Sequence, residues 1–172
     1  IAHPDKTSII TANNTTDYVY SPMSSLRDMF TSIELVNSGI VISPNGSNLS
    51  FNTSSGTLYG MGINFYSNKS NPNSVTITGS SPTTFQYRTQ TGGTYAITTT
   101  LDVGYWDNGG VRTAVSGTVA TNQRVYLFPS GQIRLQYGQT QYSTLNLAVA
   151  GLFTETFVTF ENNRVNAILI GV

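Results

Sequence analysis

Charge is what this sequence does most conspicuously without. Only 9% of its 172 residues are Asp, Glu, Lys or Arg, and eight basic residues cancel eight acidic ones. An average soluble domain carries roughly 25%. No basic stripe exists to neutralise phosphates, so the electrostatic footprint of a nucleic-acid binder is missing. Cysteine is absent, which excludes a disulfide framework and any thiolate nucleophile or ligand. Histidine occurs once, as His3 beside Pro4; a Ser-His-Asp triad or a histidine-based metal site has almost nothing to build on. No apolar run approaches the roughly 18 residues of a membrane span, and no signal peptide is visible. No cofactor, no catalysis and no membrane insertion are expected.

What fills the sequence instead is uncharged polarity. Thr, Ser and Asn supply 60 of the 172 residues, alongside 38% apolar and 11% aromatic residues. Thr, Ser and Asn hydrogen-bond the backbone locally and suit turns and strands better than helix interiors. The apolar content is enough for one domain, or two small halves, with a real core. This balance fits an extracellular or virion-surface β protein. Six Asn-X-Ser/Thr sequons, at Asn13, Asn14, Asn45, Asn48, Asn52 and Asn68, follow from the composition. The opening Ile1 suggests a segment or processed product. The apolar ending "NAILIGV" suggests a chain that continues beyond Val172 or a strand inside an assembly.

Periodicity divides the chain. The first 16 residues are polar and read as extended. Ser21 and Pro22 then open a helix, as cap and first helical residue, with Met23, Leu26, Met29/Phe30 and Ile33 on one face up to about Leu35. Asn37-Ser38-Gly39 stops it. From Gly39 the period changes to two. A hairpin turns at Pro44-Asn45-Gly46, and Thr57, Tyr59, Met61, Ile63 and Phe65 alternate along a strand. That strand's other face, with Gly60 and Gly62, leaves room for a second backbone. Residues Ser67–Asn73 form a loop. Short strands are expected at Val75–Thr78, Thr84–Thr89, Tyr95–Leu101 and Arg112–Val115, the last after a glycine-rich loop, "YWDNGGV".

The most sharply specified stretch runs from Gln123 to Gly151. With Gly131 left-handed in a Pro129-Ser130-Gly131 turn, Leu127 faces Ile133 and Val125 faces Leu135 on one apolar side. Arg124, Tyr126 and Phe128 lie opposite Gln136, Arg134 and Gln132 on the other, available to the following helix or to a neighbouring subunit. That short helix spans about Thr144–Ala150, and Phe157–Phe160 and Asn166–Val172 read as closing strands.

Reactive groups are few. Among the acids, Asp102 with Asp107, and Glu155 with Glu161, are the pairs a glycosidase would need roughly 5–10 Å apart. With eight acids some pair meets that spacing by chance, and loop capping for the aspartates and solvated strand ends for the glutamates is the preferred account. Tyr105, Trp106, Asp107 and Asn108 are the candidate glycan contact, because an aromatic plate beside Asp and Asn stacks on a sugar and bonds its hydroxyls. The alternative makes Trp106 a core or inter-chain anchor and "DNGG" a turn. Tyr87-Arg88, and Tyr66 beside the Ser67–Asn73 loop, are weaker candidates.

Five stretches together resemble a family of bacteriophage tail-fibre and virion-surface fibre proteins: "HPDKTSIITANNTTDYVYSP", "GIVISPNGSNLSFNTSSGTLYGMGINF", "NPNSVTITGSSPTTFQYRTQTGG", "TTTLDVGYWDNGGVRTAV" and "TNQRVYLFPSGQIRLQYGQTQYSTLNLAVAGLFTETFVT". The resemblance covers nearly the whole chain. It implies a homotrimer wound around a three-fold axis, exposed on a virion, with other tail or baseplate proteins and host cell-surface polysaccharide as partners. It carries over no catalytic or metal-binding motif. The expectation is a mainly β, antiparallel sandwich or prism-like domain with one or two short helices. Residues 1–38 would be an extended segment plus helix, and 39–172 a β-rich fibre domain. Its expected role is structural and adhesive. A polysaccharide depolymerase and a connector or head fibre without receptor binding are the alternatives.

Overall fold

A computed structural model of the chain describes residues 22–32 and 34–172. The expected Ser21 cap, the extended first 16 residues and His3 lie outside the described residues. The chain divides into two units, the second running from Glu34 to Val172. Helix α1, Pro22–Ser32, belongs to the first, with Met23, Leu26 and Met29 exposed along it. It does not reach Leu35. Glu34 is left-handed, with φ of 62°, and strand β1, Val36–Ser38, begins where the helix stop was expected. Residues 36–38 therefore lie with the sheets.

The second unit is mainly β. Its strands are β1, β2 (Ile42–Pro44), β3 (Phe51–Thr53), β4 (Gly56–Tyr59), β5 (Ser74–Ile77), β6 (Phe85–Arg88), β7 (Thr94–Thr98), β8 (Tyr105–Asn108), β9 (Val111–Ala114), β10 (Arg124–Leu127) and β11 (Ile133–Gln136). Helices α2 (Leu145–Gly151) and α3 (Glu161–Asn166) precede the last strand, β12 (Ile168–Gly171). A five-stranded sheet in the order β12-β10-β11-β6-β7 is the main layer. It is antiparallel except for β11 and β6, which run parallel. A three-stranded sheet β1-β4-β5 and the hairpins β2-β3 and β8-β9 complete the strands.

One hydrophobic cluster joins these pieces. The alternation of β6, β10 and β11 turns Phe85, Tyr87, Val125, Leu127, Ile133, Leu135 and Tyr137 to one side of the main sheet, where Ile40, Phe51, Leu58 and Ile77 of the smaller sheets and the residues flanking them meet them. Phe51 stacks on Phe85 with ring centroids 5.1 Å apart, tying β3 to β6. Leu127 and Leu58 are fully enclosed, and truncating such a leucine to alanine costs about 2–5 kcal/mol.

The β10-β11 register is the one the alternation predicts: Leu127 opposite Ile133, Val125 opposite Leu135, Tyr126 opposite Arg134, Arg124 opposite Gln136. Gly131 is left-handed at φ 80°. The hairpin's second face is covered from within the chain, though not by α2. Tyr126 and Gln136 are buried beneath the segment running from Phe157 into α3, with the Tyr126 hydroxyl paired to Thr159 Oγ1 at 3.1 Å.

That segment corrects an expectation. Phe157–Phe160 is no strand, although its backbone bonds resemble one. The Gln136 carboxamide donates to Val158 O at 2.6 Å and accepts from Phe160 N at 3.0 Å. Gln139 accepts from Val158 N at 2.8 Å and donates to Val158 O at 2.8 Å. Two side-chain amides thus satisfy the groups a neighbouring strand would have paired, and the chain turns into α3. A second correction concerns Thr57–Phe65. The strand stops at Tyr59, and residues 61–67 wind through turns. Gly60 packs against Leu35 and Ile63, leaving no slot for another backbone, and Gly62 is a left-handed turn residue.

Candidate functional site

The "YWDNGG" stretch is itself a hairpin. Gly109 and Gly110 have φ of 62° and 97°, the two consecutive left-handed residues that close a tight two-residue turn, and Asn108 faces Val111 across it. Alternation then splits the four candidate residues. Tyr105 and Asp107 share the inner face with Arg112. Trp106 and Asn108 share the outer face with Val111 and Thr113.

The inner face is an anchor. Asp107 is buried, and its carboxylate accepts from Gln90 N at 2.5 Å and from Gly110 N at 2.6 Å, capping the β6-β7 turn and its own. Arg112 lies 3.4 Å from the Tyr105 ring centroid and donates to Asp102 Oδ2 at 2.7 Å and to the Tyr137 hydroxyl at 3.0 Å. Tyr137 in turn donates to Asp102 Oδ2 at 2.7 Å and stacks on Tyr87 at 4.2 Å. The Tyr87 hydroxyl accepts from Asp102 N and donates to Gln123. Asp102 and Arg112 pair with each other, and the Asp107 carboxylate is held by backbone N–H donors. Asp107 is therefore committed to the fold, and only Trp106 and Asn108 of the four remain presentable to a ligand. Trp106 is partly exposed and outside the core cluster. Of the weaker candidates, Tyr87 is core, whereas Tyr66 is 96% exposed beside Phe65.

Electrostatics follow from this wiring. Burial alone would raise the Asp102 carboxyl, but hydrogen bonds from Arg112 and Tyr137 outweigh it and hold the group below the usual carboxylate range. Burial, reinforced by the Asp102 charge, pushes the Tyr87 and Tyr137 phenols well above theirs. A phenol raised in the fold contributes stability that is complete below its unfolded value, about pH 10, and is lost as pH climbs toward the folded one. Above about pH 10, stability to urea should therefore fall by up to about 1.4 kcal/mol per pH unit for each of the two. Phenolate absorbance from these two of the ten tyrosines should appear only together with loss of the near-ultraviolet circular dichroism. Full ionisation near pH 10 with an unchanged dichroism spectrum would contradict this.

The remaining acids named from the sequence are also engaged. Glu155 accepts from the Tyr142 hydroxyl at 2.8 Å, Asn122 Nδ2 at 3.2 Å and Arg124 Nη2 at 3.3 Å, with its side chain 2% exposed. Glu161 pairs with Arg164 on the surface of α3. Neither intended pair is a free carboxylate couple poised across a cleft. Among the described residues no three His, Cys, Asp or Glu side chains gather as a metal site, and no helix is long and apolar enough to cross a membrane.

The network around Asp102 and Glu155 was not legible beforehand. Tyr87 and Tyr137 are far apart in sequence and meet because β6 pairs with β11, while Tyr142 reaches Glu155 in a separate cluster. No protein-family model matches the chain, and neither does any curated protein or solved structure.

Proposed function

We propose that this chain is a structural and host-attachment module of a bacteriophage tail fibre or other virion-surface fibre, assembling with copies of itself and binding cell-surface glycan. The observation that carries the reading is the mismatch between core and surface. Among the described residues thirteen hydrophobic side chains are buried while twenty-one large apolar ones are exposed, on a surface with few charges. Scattered exposed apolar groups are ordinary. A charge-poor surface on which they outnumber the core suits a subunit whose faces are covered by other subunits. The stretches that resemble fibre proteins are consistent with this reading.

The glycan contact is the outer face of the β8-β9 hairpin. Its inner face is pinned by Asp107 and Arg112, so Trp106 is presented rigidly, with Asn108 and Thr113 beside it to bond hydroxyls. Trp106→Ala is expected to weaken binding to a panel of bacterial surface polysaccharides roughly tenfold, the scale of one lost aromatic stacking contact. Circular dichroism and solution mass should be unchanged. Binding that survives the substitution removes Trp106 from the contact. A wild-type protein that binds no polysaccharide on the panel would leave a connector role instead.

A further inference from the structure

Helix α2 is laid on the domain the wrong way round for a monomer. Thr144 caps it, its hydroxyl accepting from Leu147 N at 3.3 Å. Only Ala148 and Gly151 are buried within it. A side chain at Gly151 would run into the Tyr142 ring, so glycine lets the helix lie flat on that tyrosine. Leu145 and Val149, at i and i+4, share one helix face, Phe153 follows in the turn just after the helix, and Leu145 and Phe153 are 70% and 90% exposed, with Leu147 exposed as well. An amphipathic surface helix does the reverse, with its large apolar residues inward.

This orientation is enforced. Asn122 Nδ2 donates to Ala148 O at 2.8 Å, and the same amide nitrogen reaches Glu155, which also holds Tyr142 beneath the helix and Arg124 behind it. A preorganised ridge of this kind loses little entropy when it is covered.

We infer that the Leu145–Val149–Phe153 ridge is a self-association surface that meets a second copy of this chain across a rotation axis. The inference rests on the self-assembling reading above and identifies the surface used. The charge pattern suits a second copy, because groups close to a rotation axis meet their own counterparts and an exposed charge there would be opposed by its like. From Leu135 to Phe160 the one ionisable carboxylate or base is Glu155, which is buried and internally paired. A basic or acidic partner, or an anionic lipid headgroup, would find nothing to pair with. The extent also fits: Leu145, Val149 and Phe153 are 70%, 52% and 90% exposed, an apolar centre within the ~800 Å² that a standard contact buries on each partner. Asn146 and Thr154 supply polar flanks.

Light scattering of the 172-residue chain and of Leu145→Glu and Phe153→Glu tests this, with far-ultraviolet circular dichroism as the folding control. The wild type should weigh a multiple of one chain, and each variant should raise the dissociation constant about thirtyfold or more, as expected for a central apolar anchor. The cysteine-free sequence adds an independent measurement that keeps the side chain small and uncharged. Phe153→Cys should form a disulfide-linked dimer on mild oxidation, whereas Ile97→Cys, exposed on edge strand β7, should not. If the wild type assembles but both glutamate variants keep its mass and Phe153→Cys does not link, the ridge is overturned while self-assembly stands. A wild type that stays a single chain overturns both. Binding of that single chain to neutral phosphatidylcholine vesicles, abolished by Phe153→Glu, would reassign the ridge to lipid.

Discussion

Tyr137→Ala is expected to leave the domain at or beyond the edge of unfolding at room temperature. The ring is fully enclosed, stacked on Tyr87 and edge-on to Tyr95 at 5.7 Å, and removing a buried aromatic costs about 3–5 kcal/mol. The hydroxyl is lost with it. Asp102 then forfeits a donor and Arg112 an acceptor, which adds about 1–3 kcal/mol. Domains of this kind have about 5–15 kcal/mol in total. Urea unfolding measures the sum, and Tyr137→Phe separates its parts. The phenylalanine keeps the stack and should cost only the hydrogen-bond share. It should also move the acid limb. A carboxyl held low in the fold contributes stability that is present above its unfolded value, about 3.9, and is lost as pH falls through the folded one. Without the Tyr137 hydroxyl the Asp102 carboxyl rises toward the ordinary range, so Tyr137→Phe should lose less further stability between pH 4 and 2 than the wild type. An equal acid dependence in both proteins would mean that Arg112 alone sets this carboxyl.

The same residues show how far the sequence could be read. The β10-β11 hairpin was legible because its determinants are local: a Pro-Ser-Gly turn and matched alternation on either side. The β2-β3 hairpin was legible for the same reason. The "YWDNGG" stretch misled because consecutive glycines suggest a loop, whereas two left-handed residues are also what a tight hairpin demands. Phe157–Phe160 misled because a short run of β-prone residues is indistinguishable from a strand until its hydrogen-bond partners are known. Those partners are the side-chain amides of Gln139 and of Gln136, a strand residue whose pattern gave no sign that its amide would be fully buried. At the candidate site the expected contact included Tyr105 and Asp107, but strand alternation sends both inward, and only register reveals that.

Glu155→Ala is the second substitution expected to be severe, at about 3–5 kcal/mol, the scale of breaking a buried ion pair from one side. Arg124 would remain largely buried over the Phe157 ring, 3.9 Å from its centroid, with its counter-charge gone. Tyr142 would lose its acceptor, and Asn122 one of its two. Replacing both partners by uncharged groups of similar shape, as in Glu155→Gln with Arg124→Met, should recover much of the loss, because burying the pair has its own desolvation cost. If Glu155 serves only bulk stability, amide hydrogen exchange in Glu155→Gln will quicken evenly through the main sheet. If it fixes α2 in its inverted pose, the amides of Ala148 to Leu152 will quicken first while those of β10 and β11 stay protected, and the solution mass will fall with them. The second outcome is expected. Few acids are present in this chain, and a buried one is tied to a helix that buries only Ala148 and Gly151 of its own. That arrangement is costly for an isolated domain and economical for one whose helix is finished by another copy.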